Sequence, residues 1–249
     1  MDPAKVRRHF HYFRILVIGR SNAGKTTILQ RVCNTIEFPE IFNAKGEKRA
    51  YRNIEDEPIF RSNPGFIFHD LRGFEGGNFI SKRATTMKLE KQIHATRFCI
   101  PMTDYKRPIL AANKNFFQWI PAVPVIVVLT KADALHLDAL EQVMEDEGLT
   151  NREAKPRAQE VEIEMLDELK MRIMTQWAGC VHMSVTCLLH KGVNEDHADC
   201  NALLRCTTNP LHKVELQKLM TSTQQVNVLL KLNMLPSKGT ILMSLYVTW

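Results

Sequence analysis

Gly19-Arg20-Ser21-Asn22-Ala23-Gly24-Lys25-Thr26 decides how the rest of this chain is read. Before it stands Arg14-Ile15-Leu16-Val17-Ile18, whose last four residues are apolar and suit a buried strand. After it, Thr26-Thr27-Ile28-Leu29-Gln30-Arg31-Val32 reads as a helix opening on the loop. The pattern is G-x-x-x-x-G-K-[ST] between a strand and a helix. Gly19 and Gly24 let the backbone fold into a concave nest. The backbone N–H groups of Ser21, Asn22, Ala23, Gly24, Lys25, Thr26 and Thr27 would then face a dense anion at the positive end of the helix. A nucleoside triphosphate is such an anion. Lys25 is placed to reach its β- and γ-phosphates and to offset charge developing in phosphoryl transfer, and the Thr26 hydroxyl to ligate Mg²⁺.

Selection of the base falls further along. Val123-Pro124-Val125-Ile126-Val127-Val128-Leu129 is nearly all apolar and β-branched, as a strand covered on both faces should be. It delivers Thr130-Lys131-Ala132-Asp133 to the strand's carboxyl end. There the Asp133 carboxylate can accept from both N1–H and N2–H₂ of guanine, a donor pair that adenine lacks. The Lys131 stem can lie along the base, and Thr130 lines the same edge of the site.

Between these motifs runs Gly65-Phe66-Ile67-Phe68-His69-Asp70-Leu71-Arg72-Gly73-Phe74-Glu75-Gly76-Gly77. A strand again brings a carboxylate to the site: Asp70 can hold Mg²⁺ through a water, and the Gly73 N–H can bond the γ-phosphate. Gly76 and Gly77 would let the following segment move when that phosphate leaves. The order phosphate loop, D-x-x-G, T-K-x-D resembles a G domain, the guanine-nucleotide switch fold, over roughly residues 13 to 190. That resemblance implies an α/β P-loop NTPase fold with a mostly parallel, doubly wound sheet. It also implies GTP and GDP as ligands, Mg²⁺ as cofactor, and hydrolysis of GTP to GDP and phosphate.

A narrower likeness follows from Asn22, which resembles the loop asparagine of TrmE–Era-type GTPases. The segment Phe60 to Glu75, Cys99-Ile100-Pro101, and Arg107-Pro108-Ile109-Leu110-Ala111-Ala112 resemble a group of fungal G-domain proteins.

Three departures bear on catalysis. Phe74 follows Gly73, where many switch GTPases carry a glutamine that orients the attacking water, so unaided hydrolysis should be slow. The TrmE–Era likeness implies a K⁺ ion beside Asn22 in place of an arginine finger; Asn22 bonding the loop's own backbone is the open alternative. No threonine occurs from Ile36 to Arg83 to serve as a switch ligand for the metal. Asn43 to Arg49 reads as a polar loop there. Lastly, Met183-Ser184-Val185-Thr186 stands after an expected strand, Cys180-Val181-His182, where the final guanine loop belongs. This assigns Ser184 and the Val185 N–H to the guanine pocket.

Alternation of strands and helices fits a parallel sheet with ligands at the strands' carboxyl ends. Expected elements are strands at Pro58 to Arg61, the first of them antiparallel at an edge, Phe66 to Asp70 and Arg97 to Ile100. Expected helices run from Ser81 to His94, Pro108 to Ile120 and Leu211 to Leu232. Val161, Met165, Leu169, Ile173 and Trp177 form an apolar stripe at four-residue spacing on an extra helical segment, about 148–178. Core packing explains the stripe; an effector or nucleotide-dependent dimer surface is the alternative. The division is a basic arm at 1–12, a G domain at 13–232 and a C-terminal tail at 233–249.

The 249 residues carry a net charge of +6, 45% hydrophobic and 24% charged residues, which suits a globular protein with a packed core. Part of the positive charge, Lys5, Arg7 and Arg8, lies in the arm, which is either a solvated extension or a contact for RNA or an anionic membrane. No apolar run reaches the length of a membrane span, and the apolar stretch at Ile15 to Ile18 is too short for a signal peptide. Six cysteines without C-x-x-C pairs point to free thiols and a cytoplasmic setting. The spacing of Cys180, His182, Cys187, His190, His197, Cys200, Cys206 and His212 fits no familiar zinc finger. The sequence thus supports a GTP-binding, GTP-hydrolysing protein. A non-hydrolysing GTP-binding interaction module and an RNA- or ribosome-associated factor stand as rivals.

Overall fold

The computed structural model describes residues 12–43, 45–50, 56–70, 77–86, 88–106, 123–176, 183–184, 201–211 and 213–234. β1 (Phe13–Gly19), β5 (Phe66–Asp70), β6 (Ala95–Pro101), β7 (Val125–Thr130) and β8 (Met183–Ser184) form one sheet in the order β5-β1-β6-β7-β8. Every pairing in it is parallel. All seven residues of β6 and all six of β7 are buried, which is why their sequences are continuous apolar runs rather than alternating ones.

Helices cover both faces. On one, α1 (Lys25–Val32), α5 (Asn201–Thr208) and α6 (Val214–Met234) bring Ile28, Leu29, Val32, Leu203, Leu216 and Leu219 against Phe13, Ile15 and Val17. On the other, α2 (Gly77–Thr85), α3 (Asp133–Glu147) and α4 (Asn151–Gln176) set Ile80, Leu135, Leu166, Leu169 and Ile173 against Leu16, Ile18, Phe98, Val127 and Leu129. This is the expected doubly wound α/β architecture.

α4 is the extra helical segment expected at about 148–178, and it packs back against α3. Gly148 ends α3 in the left-handed region (φ 65°), its N–H bonding the Met144 carbonyl at 3.1 Å. The chain then turns back through Thr150, whose hydroxyl and N–H both donate to the Glu153 carboxylate, at 2.6 and 3.1 Å. These bonds hold the Glu153 carboxyl below its ordinary range. Small residues let the two helices close together, Ala139 and Val143 meeting Ala154, Ala158 and Val161. Val161, Leu169 and Ile173 of the predicted stripe are buried and Met165 is half-buried, so they pack into the core; Trp177 lies outside the described residues.

A second, three-stranded antiparallel sheet, β3 (Lys48–Arg49), β2 (Glu40–Phe42) and β4 (Glu57–Ile59), was not expected. Residues 43 and 45–49, read as part of a loop, belong to a hairpin instead. The buried Asn43 organises it: its Oδ1 accepts from the N–H groups of Lys45 and Glu47, both at 2.9 Å, and Gly46 takes φ 80° in the turn. The strand expected at Pro58 to Arg61 is β4, antiparallel to β2 in this small sheet rather than part of the main one.

The helix expected from Ser81 to His94 stops at Thr85. The Thr85 hydroxyl turns back onto the Ser81 carbonyl at 2.8 Å, and the Thr86 hydroxyl accepts from the Lys88 N–H at 3.3 Å, ending the helix in a side-chain-bonded turn. His94 is held instead by β1: the Arg14 N–H donates to its Nδ1 at 3.0 Å. The helix expected at Pro108 to Ile120 and the strand expected at Cys180 to His182 lie outside the described residues. So do residues 1–11 of the arm and 235–249 of the tail.

Candidate functional site

The phosphate loop leaves β1 at the carboxyl edge of the sheet, between β5 and β6. Gly19 has φ 154°, and a Cβ there would stand 2.6 Å from the Cys99 carbonyl oxygen, so the loop's first turn is pressed against β6. Gly24 is left-handed (φ 71°) and Asn22, the loop's third variable residue, is left-handed too (φ 60°). Successive turns of this kind shape an anion-binding nest, while the Ala23 N–H is committed to the loop itself, donating to the Arg20 carbonyl at 3.2 Å. Lys25 curls back over the loop, its Nζ donating to the carbonyls of Gly19 at 2.8 Å and Arg20 at 2.9 Å. Two of its three N–H donors are thereby used to hold the loop, leaving one for a phosphate oxygen. Ser21 and Asn22 are exposed; Lys25, Thr26 and Thr27 are half-buried in the first turn of α1.

Asp70 is the last residue of β5 and is paired with Val17, two residues before Gly19. Strand register therefore brings this carboxylate beside the strand that enters the loop. Its partner donor, the Thr26 hydroxyl, sits in the first turn after the loop. Both are hard oxygen donors, and Mg²⁺ takes such donors together with water and phosphate oxygens.

The T-K-x-D motif comes to the same place by a specific bond. Thr130, 3% exposed, donates its hydroxyl hydrogen to the Ala23 carbonyl at 3.0 Å. The last residue of β7 is thus fastened to the back of the phosphate loop. Lys131 follows with φ 56°, a left-handed kink that turns the chain sharply into α3. Ala132 is buried beneath the kink, and Asp133 is the exposed first residue of α3. The kink leaves both Lys131 and Asp133 exposed at the sheet's carboxyl edge.

Register bears on one assignment. Met183 and Ser184 are strand residues, paired with Val125 and Ile126. Ser184 therefore lies beside the start of β7, four residues short of Thr130, roughly 13 Å along the strand from the T-K-x-D motif. Val185 and Gly73 lie outside the described residues. Of the cysteine and histidine cluster, only Cys206 lies among the described residues. A participant the sequence did not reveal is Cys99. Its carbonyl backs Gly19, and burial pushes its thiol up to about 12, so the side chain is an inert filler. No local pattern marks it.

A parallel, doubly wound sheet, a phosphate loop at the end of β1 and a guanine-type motif bonded to that loop define a P-loop G domain. Comparison with known proteins agrees: residues 14–131 match the family described as 50S ribosome-binding GTPase. The probable GTP-binding protein EngB of Paraburkholderia phytofirmans is 26% identical over 129 residues, which are 49% of this chain and 58% of that protein. EngB of Rickettsia prowazekii is 27% identical over 128 residues, 48% of this chain and 56% of that protein. The chain thus spans little more than half the length of the curated relatives it matches. No helix among the described residues is long and apolar enough to cross a membrane.

Proposed function

We propose that this chain binds GTP and hydrolyses it to GDP and phosphate with Mg²⁺, slowly when alone. The observation that carries this reading is the bond from Thr130 to Ala23, which supports taking the T-K-x-D and phosphate-loop motifs as parts of one site. The backbone N–H groups of Ser21, Asn22 and Gly24 to Thr27 cradle the phosphates, the Ala23 N–H being donated to the Arg20 carbonyl, and Lys25 offsets charge in the transition state. Thr26 and Asp70 would hold the metal, which would supply positive charge to offset that of the phosphates. Lys131 and Asp133 select guanine. The Gly73 N–H, just before Phe74, serves the γ-phosphate, and Phe74 cannot orient water. In this reading the G domain covers 13–232, between a basic arm and a tail.

The finer TrmE–Era likeness extends the proposal to a K⁺ ion at Asn22, whose left-handed backbone puts it at the exposed lip of the loop. A second reading, an RNA- or ribosome-associated factor in a cytoplasmic setting, is favoured by the description of the matching family.

The test is to identify the nucleotide that co-purifies and titrate the protein with GDP and ADP by calorimetry. Single-turnover phosphate release is then followed in K⁺ and in Na⁺ buffers. Guanine-selective binding with Mg²⁺-dependent release supports the proposal. Equal affinity for ADP removes the role of Asp133, and binding without release in either salt leaves a non-hydrolysing module. Equal rates in the two salts remove K⁺.

A further inference from the structure

We propose that the β5 end of the molecule docks the phosphate backbone of RNA, an inference that rests on the RNA- or ribosome-associated reading and names the face it uses. Charge in this chain is segregated along the sheet. The α3–α4 hairpin, residues 133–176, holds twelve Asp and Glu against five Lys and Arg, a formal −7 in a chain of net +6, so the remainder carries +13. α3 has no Lys or Arg at all, and its Asp138, Glu141 and Glu145 recur at helical spacing. The hairpin follows β7, three strands from β5, roughly 14 Å across the sheet. That exceeds the screening length of about 8 Å at physiological salt, so the two ends act on a partner separately.

The β5 end has the opposite sign: its described residues within 37–61 and 77–94 hold eight Lys and Arg against six Asp and Glu, of which Glu37, Glu47 and Glu90 are exposed. Arg14 clamps two of its segments together, its Nε donating to the Glu90 carbonyl at 2.8 Å and its Nη1 to the Glu57 carboxylate at 2.6 Å. The turn carrying Lys88 and Lys91 is thereby set against β4. Glu57 of β4 pairs with Phe42 of β2, which pairs with Lys48 of β3, so Lys48 lies at the same level roughly 10 Å away. Lys45, Lys48, Arg49, Lys82, Lys88 and Lys91 are all exposed. Among the described residues only Lys48 of these six is in an ion pair, and it shares the Glu40 carboxylate with Arg61, two cations on one anion. A row of exposed cations bracketing a rigid edge, with an acidic hairpin at the far end, fits a polyanion approaching from one side. Phosphate contacts of this kind position without reading sequence.

The experiment measures anisotropy of a labelled 20-base-pair RNA duplex with the full-length chain across a salt series. Two charge-reversed triples of equal charge change are compared, Lys82→Glu with Lys88→Glu and Lys91→Glu, and Arg152→Glu with Lys155→Glu and Arg157→Glu on α4. The first triple is expected to bind at least tenfold more weakly, with a shallower dependence on salt. The α4 triple should stay within about threefold of the unmodified chain. In the unmodified chain, RNA should shield Lys88 and Lys91 from acetylation, a readout independent of how the variants fold. Equal losses in both triples, unshielded lysines, or a preference for a polyglutamate peptide over RNA would each overturn the proposal. GDP titration of the same samples separates the outcomes: intact guanine binding without RNA binding sinks this inference alone, and loss of guanine binding in the unmodified chain sinks the GTP-binding proposal.

Discussion

The Thr130 hydroxyl donates to the Ala23 carbonyl oxygen across 107 positions of sequence, and the bond is buried. It joins the strand that ends in the T-K-x-D motif to the G-x-x-x-x-G-K-T loop. Neither motif can shift without straining the other.

Thr130→Val keeps the shape of the side chain and removes the donor, leaving the Ala23 carbonyl unsatisfied in a dry place. The expected cost is about 1–3 kcal/mol of stability. GDP affinity should fall roughly tenfold, since about 1.4 kcal/mol is a factor of ten. Thr130→Ser should recover most of both. Calorimetric titration with thermal melts checks this; a Val variant with wild-type affinity would show the bond to be incidental.

At Gly19, φ 154° and a backbone oxygen 2.6 Å from any Cβ leave no room for a side chain. Gly19→Ala should therefore cost at least about 2 kcal/mol and disable the loop. Gly46→Ala makes the informative comparison. Its φ of 80° is equally left-handed, yet nothing lies within 4 Å of the added carbon, so only the conformational cost of about 1–2 kcal/mol applies. Denaturant titrations of the two variants should separate by the steric part.

His94 gives the fold a pH dependence with a definite sign. Burial lowers its pKa from the ordinary 6.5 to about 4, with the nearby Arg14 charge acting in the same direction and the bond to the Leu89 carbonyl opposing. Its Nδ1 accepts from the Arg14 N–H, so the proton sits on Nε2, which donates to Leu89 at 2.8 Å. Below pH 6.5 the unfolded chain takes up a proton that the folded chain refuses. This contribution is complete above about pH 6.5 and lost as pH falls through about 4, a change of roughly 3 kcal/mol. His94→Asn should flatten that part of the stability-against-pH curve; an unchanged slope would remove the assignment.

Asp133→Asn should weaken GTP and admit a xanthine nucleotide, because the amide reverses one donor–acceptor pairing. Lys25→Ala should abolish tight triphosphate binding. Competition titrations with the two nucleotides check both, and a Lys25 variant that binds GTP normally contradicts the loop assignment.

The sequence disclosed what is local. The phosphate loop and the T-K-x-D kink are short segments whose residues each contribute directly, so spacing alone exposes them. Strands β6 and β7 were legible because full burial demands unbroken apolar runs. Register was not legible. Nothing in the residues around Ser184 discloses its pairing with Ile126, which sets its place along the sheet. The β2–β3 hairpin escaped notice because its strands are short and polar, and its turn is organised by one buried asparagine. Helix α2 was overextended because helix-favouring residues continue past Thr85, while the Lys88 N–H turns to the Thr86 hydroxyl instead of a helix carbonyl. The clamp of Arg14 on Glu57 and Glu90 joins residues 43 and 76 positions apart, which no periodicity records.

Asp133 is the tip of a rod. It opens the 15-residue α3, roughly 22 Å long, whose inner side is buttressed along its length by α4. A pull on the hairpin where Leu149 turns the chain is therefore carried along a braced helix to the residue beside the Lys131 kink, rather than being absorbed on the way.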